Sequence, residues 1–380
     1  MAIKKIIGML CATALLISII AFYNPTNSKN DTGNSSISEQ IKTKIEGYIK
    51  NDDYQGAVLI AKEGKIVFNK AYGFADREQK IANTSQTQFL IGSLTKSFVA
   101  VSVLQLVEEG LLDLNAPIQK YIPELKDELA KSLTLHLLLK HQSGLAPHLE
   151  RITDFEDKDV SSKEIIEIIN TSSLAFTPGE EYQYSNLNYT LSAIAIENVT
   201  NKPYAQVLQE KTFIPLEMNR SGIERKSNYP IKRAKGYRKT TFGIKNEENI
   251  VSYALGSGDI FSTVEDLYKW DQALYKNTLL SEKSKSLLFD GENRAFGNYG
   301  YGFRITEYQR GKAPLKNGIL MRHGGTMDGF MSNLHRYSDD KLTVIILGNI
   351  RTFPIRQMTR ELKEIVLGIQ PEDRIHSTHE

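Results

Sequence analysis

Ile91-Gly92-Ser93-Leu94-Thr95-Lys96-Ser97-Phe98-Val99-Ala100 is the stretch whose reading decides this chain. A small polar start runs into apolar residues at helical spacing, which predicts a helix from Ser93 to about Gly110. A serine at a helix start and a lysine one turn later lie on the same face. The spacing therefore sets an amine beside a hydroxyl with no third residue bridging them. Such a pair makes a nucleophile when the lysine is neutral. The helix dipole, nearby cations and burial all lower an ammonium pKa. Taken alone, Ser93 reads equally well as a helix N-cap followed by an ordinary exposed lysine. The same spacing recurs at Ser338-Asp339-Asp340-Lys341, a polar stretch between strand-like runs that reads as a hairpin turn.

Two more groups stand further along the chain. Tyr184-Ser185-Asn186 lies in a turn that begins at Pro178-Gly179 and leads into an amphipathic helix. His323-Gly324-Gly325 follows the short run Ile319–Arg322 and precedes Thr326. In isolation, Tyr184 and Asn186 read as residues capping the helix over 187–200. In isolation, too, His323 reads as a strand histidine packed on aromatics and Thr326 as a turn residue. In the order Ser-x-x-Lys, Tyr-x-Asn, His-Gly-Gly, the chain resembles the serine β-lactamase and penicillin-binding protein superfamily. The resemblance is to its class C β-lactamase-like branch, with the D-peptidase and esterase relatives. It extends to Gly56–Ile60 with Gly73–Asp76, similar to the family's opening hairpin, and to Leu137–Leu145, similar to its helix-ending turn. Gly256-Ser257-Gly258 with Ser262–Leu267 resembles the stretch before a late helix, and Tyr299–Phe303 resembles a late strand. The match runs from about residue 40 to about residue 368.

The resemblance implies roles. Ser93 attacks a carbonyl and forms an acyl-enzyme, and Lys96 takes or relays its proton. Tyr184 acts as phenolate base and phenol acid, its pKa lowered by the Lys96 cation; His323, mostly neutral near pH 7, adds to this only where its own pKa is raised. Asn186 hydrogen-bonds Lys96 and the acyl side chain. The backbone N–H groups of Ser93 and Thr326 form the oxyanion hole. Gly324 and Gly325 keep a strand edge bare for substrate. Many relatives carry Lys-Thr-Gly where this chain has His323-Gly324-Gly325. That exchange removes a hydroxyl and a lysine charge that help bind a substrate carboxylate. The catalytic candidates are therefore Ser93, Lys96 and Tyr184. The substrate-binding candidates are Asn186, His323, Gly324, Gly325 and Thr326. No cofactor or metal is implied.

The chain has 380 residues, 41% hydrophobic and 24% charged, an ordinary globular balance with ample material for a core. Lys4 and Lys5 precede an apolar run of about 18 residues, Ile6 to Tyr23, so residues 1–23 read as a signal peptide or an N-terminal membrane anchor. Residues 24–38 are polar and read as a flexible linker. Residues 39–370 form one β-lactamase-like serine hydrolase domain, and 371–380 a polar tail. Cys11 is the only cysteine and lies in the apolar run, so the rest of the chain has no disulfide or thiol chemistry. Net charge is +2, and the two lysines of residues 1–23 account for it. Nothing basic enough for nucleic acid remains.

Gly56 to Ala75 alternates around the turn Lys62-Glu63-Gly64-Lys65. Helical spacing covers 93–110, 115–121, 132–141, 162–171, 187–200 and 203–213. Strands return at about 301–306, 318–323, 330–337 and 342–349, and a helix over Ile355–Leu367 closes the chain. Strands at both ends with helices between predict an α/β (α+β type) fold. An antiparallel sheet is built from the N- and C-terminal parts, and a helical lobe is inserted between them. Segment 214–250 reads as a solvated loop.

Other chemistries are set aside. Thr95 stands where a P-loop needs glycine, and Ser93 lacks Gly-x-Ser-x-Gly flanks. His136, His141 and His148 are not at zinc-ligand spacing and read as helix-end and turn residues. Trp270, at helical spacing with Leu267 and Leu274, reads as core. The leading expectation is an exported bacterial serine hydrolase, secreted or at the outer face of the cell membrane. It acts on D-amino-acid-containing cell-wall peptide or ester as a DD-carboxypeptidase, D-peptidase or D-alanyl esterase. A class C-like β-lactamase is the alternative among enzymes. A non-catalytic penicillin- or wall-binding module is the alternative of another class. The oligomeric state is left open.

Overall fold

The run Gly56-Ala57-Val58-Leu59-Ile60-Ala61-Lys62 is apolar at nearly every position, the pattern of a strand covered on both faces. A computed structural model describes residues 28–50, 54–149, 159–225, 233–247, 251–291, 294–311, 317–351 and 353–373. In it the run is strand β1 (Gly56–Lys62), joined to β2 (Lys65–Tyr72) through Glu63 and Gly64. Both turn residues have positive φ, 52° and 73°, the geometry that matches the twist of a two-residue hairpin. The C-terminal part supplies β3 (Arg304–Tyr308), β4 (Gly318–Met327), β5 (Phe330–Tyr337) and β6 (Leu342–Gly348). The six strands lie in the order β3-β4-β5-β6-β1-β2, all antiparallel. The two ends of the chain thus share one sheet, and the fold is the mixed α/β arrangement expected.

The helices that position the site are α1 (Ser28–Lys50), α2 (Thr95–Glu108), α3 (Leu135–Leu139), α4 (Asn186–Thr200), α5 (Val264–Leu274) and α6 (Ile355–Leu367). Period two along β1 sends Ala57, Leu59 and Ala61 into one core and Val58 and Ile60 into another. The second core is closed by Ile41 and Ile45 of α1 and by Met358, Leu362 and Val366 of α6. The first core holds α2, which is buried all round from Thr95 to Leu104 between the sheet and the helical lobe. Phe98 of α2 stacks on Trp270 of α5, ring centroids 3.9 Å apart, which makes Trp270 core. Beneath β5, Arg336 Nε donates to Asp271 Oδ1 at 2.6 Å and Thr343 Oγ1 donates to Asp271 Oδ2 at 2.7 Å, all three residues buried.

Some elements differ from the sequence reading. α1 already runs at Ser28, so residues 28–38 are helical rather than an irregular linker. The 115–121 spacing yields only a 3-10 turn at Ile118–Lys120. Tyr299–Phe303 is not a strand. It is a buried irregular segment, forced by Gly302 (φ 74°), where an added Cβ would lie 2.7 Å from Ser97 Cα of α2. Segment 214–250 includes a hairpin, Tyr237–Thr240 with Gly243–Asn246, that pairs with Ile350–Arg351. Ser338–Asp340 is the expected turn between β5 and β6. The N-terminal apolar run and the last seven residues lie outside the described residues.

Candidate active site

The first helical stretch does not begin as an α-helix. Gly92–Leu94 form a 3-10 turn, and α2 starts at Thr95. Ser93 therefore caps nothing, and its hydroxyl is free to face outward. Two glycines let this turn press against β4. A Cβ on Gly325 would sit 2.0 Å from Ile91 O and 2.7 Å from Ser93 N, and one on Gly92 would sit 2.9 Å from Thr326 N. Ser332 Oγ on β5 donates to Ile91 O at 2.7 Å and ties the turn down. β3 pairs with β4 only as far as Arg322, whereas β5 pairs with it to Met327. His323 to Met327 thus have a strand edge beyond β3. That edge borders a cleft of ≈ 510 Å³ lined by Ser93, Tyr184, Asn186, His323, Gly324, Gly325 and Thr326.

Lys96 lies behind the cleft, fully buried. Its Nζ is 3.0 Å from Ser93 Oγ, 2.8 Å from Asn186 Oδ1 and 2.7 Å from Ser257 O. No carboxylate is among these partners. Two of the three, an amide oxygen and a backbone carbonyl, can only accept. A neutral amine has two N–H bonds to give them, which leaves its lone pair for the Ser93 hydroxyl. Burial drives the Lys96 pKa well below its ordinary 10.5, against the pull of Asp259. Asp259 is itself buried and held by Arg225 at 2.9 Å.

Tyr184 shares a hydrogen bond with Ser93, and Lys96 Nζ is 5.0 Å from its ring centroid. The Tyr184 pKa is not lowered as the sequence leads one to expect. Burial raises it above the ordinary 10.0 and outweighs the bond to Ser93 and the charge of Arg304. His323 is not a cation either. Nδ1 lies 2.7 Å from Gly324 O, so it carries the hydrogen, and Nε2 accepts from Tyr299 O–H at 2.8 Å. Burial and the nearby positive groups take its pKa down to about 3. Burial thus pushes the amine and the imidazole toward their neutral forms and keeps the phenol protonated around one serine hydroxyl. Such an arrangement can take a proton from the hydroxyl and give one to a leaving group.

The Beta-lactamase family model matches residues 41–367. The chain belongs to the β-lactamase family. It is 33% identical over 323 residues to PbpX of Bacillus subtilis (strain 168), covering 81% of this chain and 75% of that protein. A penicillin binding protein from Bacillus halodurans superposes with a TM-score of 0.73 at 25% identity, covering 86% of this chain and 99% of that one. D-amino acid amidase from Ochrobactrum anthropi SV3 superposes with a TM-score of 0.77 at 24% identity, covering 88% and 99%, a likeness of fold. This β-lactamase-family protein is a serine hydrolase with the penicillin-binding protein fold.

In this β-lactamase-family site the structure also adds residues that sequence reasoning passed over. His148, read as a turn residue, lines the cleft, and Asn186 Nδ2 donates to its Nδ1 at 2.8 Å. Arg304 lies 5.8 Å from the Tyr184 ring centroid and 5.5 Å from that of Tyr299. Ser257 contributes only a backbone carbonyl, which no side-chain pattern signals. The Gly256-Ser257-Gly258 stretch was the available clue. A Cβ on Gly256 (φ 66°) would sit 2.6 Å from Ala193 Cβ of α4, so the loop packs tight enough to aim that carbonyl at Lys96. Among the described residues, no cluster of His, Cys, Asp and Glu could hold a metal.

Proposed function

We propose that this protein is an exported serine acyl hydrolase acylated on Ser93. Its substrates are D-amino-acid-containing cell-wall materials, and it works as a DD-carboxypeptidase, D-peptidase or D-alanyl esterase. The observation that carries the reading is Lys96. It is a buried amine 3.0 Å from Ser93 Oγ, and Asn186 Oδ1 and Ser257 O beside it are neutral acceptors. In the proposed step Ser93 Oγ bonds to the acyl carbon and its proton passes to Lys96 Nζ. The carbonyl electron pair moves onto oxygen, between the N–H groups of Ser93 and Thr326. As the tetrahedral centre collapses, the bond to the leaving group breaks and the Tyr184 phenol gives it a proton. Lys96 then returns its proton to the tyrosinate. Asn186 holds Lys96 in place and offers its amide to the acyl side chain.

With His323 neutral, the third motif itself offers no cation to a substrate carboxylate, whether on a β-lactam or on a D-Ala-D-Ala peptide. The anion-facing capacity of the cleft lies instead in Arg304, Arg322, Arg351 and Arg356, set against Asp328, which pairs with Arg351 at 2.8 Å. Lys4, Lys5 and the apolar run that follows support export, with the domain at or beyond the outer face of a membrane. The test is labelling of purified protein by a fluorescent penicillin and a fluorophosphonate, with and without Ser93→Ala. It is followed by intact-mass detection of adducts against D-Ala-D-Ala peptides, D-alanyl esters and penicillins. Labelling is expected to vanish in Ser93→Ala; equal labelling refutes Ser93 as the nucleophile. Rapid turnover of nitrocefin would move the assignment to a β-lactamase.

A further inference from the structure

Leu137–Leu145 ends α3 and turns back under the site, yet the chemistry above uses none of its residues. Its carbonyls lace the facing loop. Gly144 O accepts from Ala175 N–H at 2.8 Å, Gln142 O from Gly179 N–H at 2.8 Å, and His141 O from Gln183 N–H at 3.0 Å. The His141 ring makes the next contact, where Nδ1 accepts from Ser185 N–H at 3.2 Å. One residue thus grips the backbone immediately before and immediately after Tyr184, by its carbonyl on one side and its ring on the other. The ring also lies against the phenol, with centroids 4.3 Å apart and planes inclined at 36°. We infer that His141 is the positioning residue that holds the Tyr184 phenol on Ser93, an inference that rests on the acyl-enzyme reading above.

The orientation of the imidazole is fixed from behind. Ser143 Oγ donates to Asn188 Oδ1 at 2.5 Å, which turns Asn188 Nδ2 toward His141 Nδ1 at 3.2 Å. Nδ1 therefore faces two donors and carries the lone pair, so Nε2 carries the hydrogen. Nε2 is buried with no hydrogen-bond partner, and the ring is boxed by Tyr182, Tyr184, Tyr189 and Tyr299. His141 is also in the left-handed region, φ 60°, where a residue with a Cβ is strained. An unpartnered buried N–H and a strained backbone at one residue are two local costs. Such costs collect where geometry at a site must be held. Burial, with the Arg304 charge nearby, lowers the imidazole pKa and favours its neutral form, which fits placement rather than proton transfer.

The experiment uses the full chain, the substrate that wild type turns over best in the panel above, and rates per folded molecule. His141→Ala is expected to lower kcat about a hundredfold while KM changes less than about threefold. His141→Asn tolerates the left-handed backbone and offers an amide oxygen to Ser185 N–H, so it recovers about tenfold of that loss. Freed of the ring, Tyr184 becomes wetter, and the alkaline limb of kcat moves down toward the ordinary phenol range of about 10. Val207→Ala, a buried change remote from the cleft, lowers the melting temperature without these effects. Both His141 variants within about threefold of wild type in kcat, with melting temperature alone reduced, overturn the inference and leave the acyl-enzyme reading standing. Should His141→Ala not fold, His141→Asn decides on the same kcat and pH criteria. Wild type that no probe acylates removes the acyl-enzyme reading first and the inference with it.

Discussion

Lys96 and Arg336 are both buried cations by residue type, and their surroundings make them opposites. Arg336 meets the Asp271 carboxylate at 2.6 Å, and Asp271 is also bonded by Thr343. Lys96 meets a hydroxyl, an amide oxygen and a backbone carbonyl. A guanidinium keeps its proton anywhere in a protein and needs its counter-ion; a buried amine faced directly by neutral acceptors gives its proton up more readily. One site is architecture joining α5 to the sheet, and the other is a base. The difference lies in what faces the nitrogen, since the two are equally hidden from water.

Copying one site into the other breaks the comparison most directly. Lys96→Arg keeps the charge and cannot deprotonate, so acylation of a fluorescent penicillin should fall about 10⁴-fold or more by stopped-flow labelling. A rate within tenfold of wild type would mean that no neutral base is needed. Tyr184→Phe keeps the ring against His141 and removes only the proton donor. A loss in kcat of about 10²–10⁴-fold with an unchanged melting temperature is expected. Arg336→Ala leaves Asp271 buried and unpaired, and urea titration should show a loss of about 3–5 kcal/mol. Acylation per folded molecule should stay at the wild-type rate; a parallel fall would tie the ion pair to the chemistry.

The smallest effect concerns the stability cost of the site. The folded pKa of Lys96 is below its unfolded value of 10.5, so between those two pH values the unfolded chain binds the extra proton. Stability therefore rises with pH across that window, and the contribution of Lys96 is complete only above the unfolded pKa. Lys96→Met removes that slope, and at neutral pH it should gain about 1–2 kcal/mol while losing activity. His323 works at the other end. Its folded pKa of about 3 is below its unfolded 6.5, so its contribution is present above 6.5 and lost as pH falls toward 3.

Residue order carried much of this. Ser93, Tyr184, Asn186, His323, Gly324, Gly325 and Thr326, named from motif spacing, line one cleft with Lys96 behind it. The two-ended sheet was legible because the Gly56–Tyr72 hairpin and the strands after 318 each show their own pattern. Protonation states were not legible. Sequence places a lysine near a tyrosine and invites a lowered phenol pKa, but burial lowers the amine's pKa and raises the phenol's. The grip of His141 was also hidden, because a carbonyl and a ring nitrogen acting on residues more than forty positions away leave no local spacing. Tyr299–Phe303 resembles a late strand of the family in sequence, and Gly302 against α2 is what bends it.

The central claim is that Lys96 is an uncharged amine in the resting enzyme. The direct measurement is an NMR titration of lysine side-chain nitrogens in ¹⁵N-lysine-labelled protein, with Lys96 assigned by difference from Lys96→Met. The account predicts one lysine that titrates far below the others, at a midpoint matching the acid limb of Ser93 acylation. A Lys96 signal that titrates with the surface lysines, near about 10.4, would contradict it.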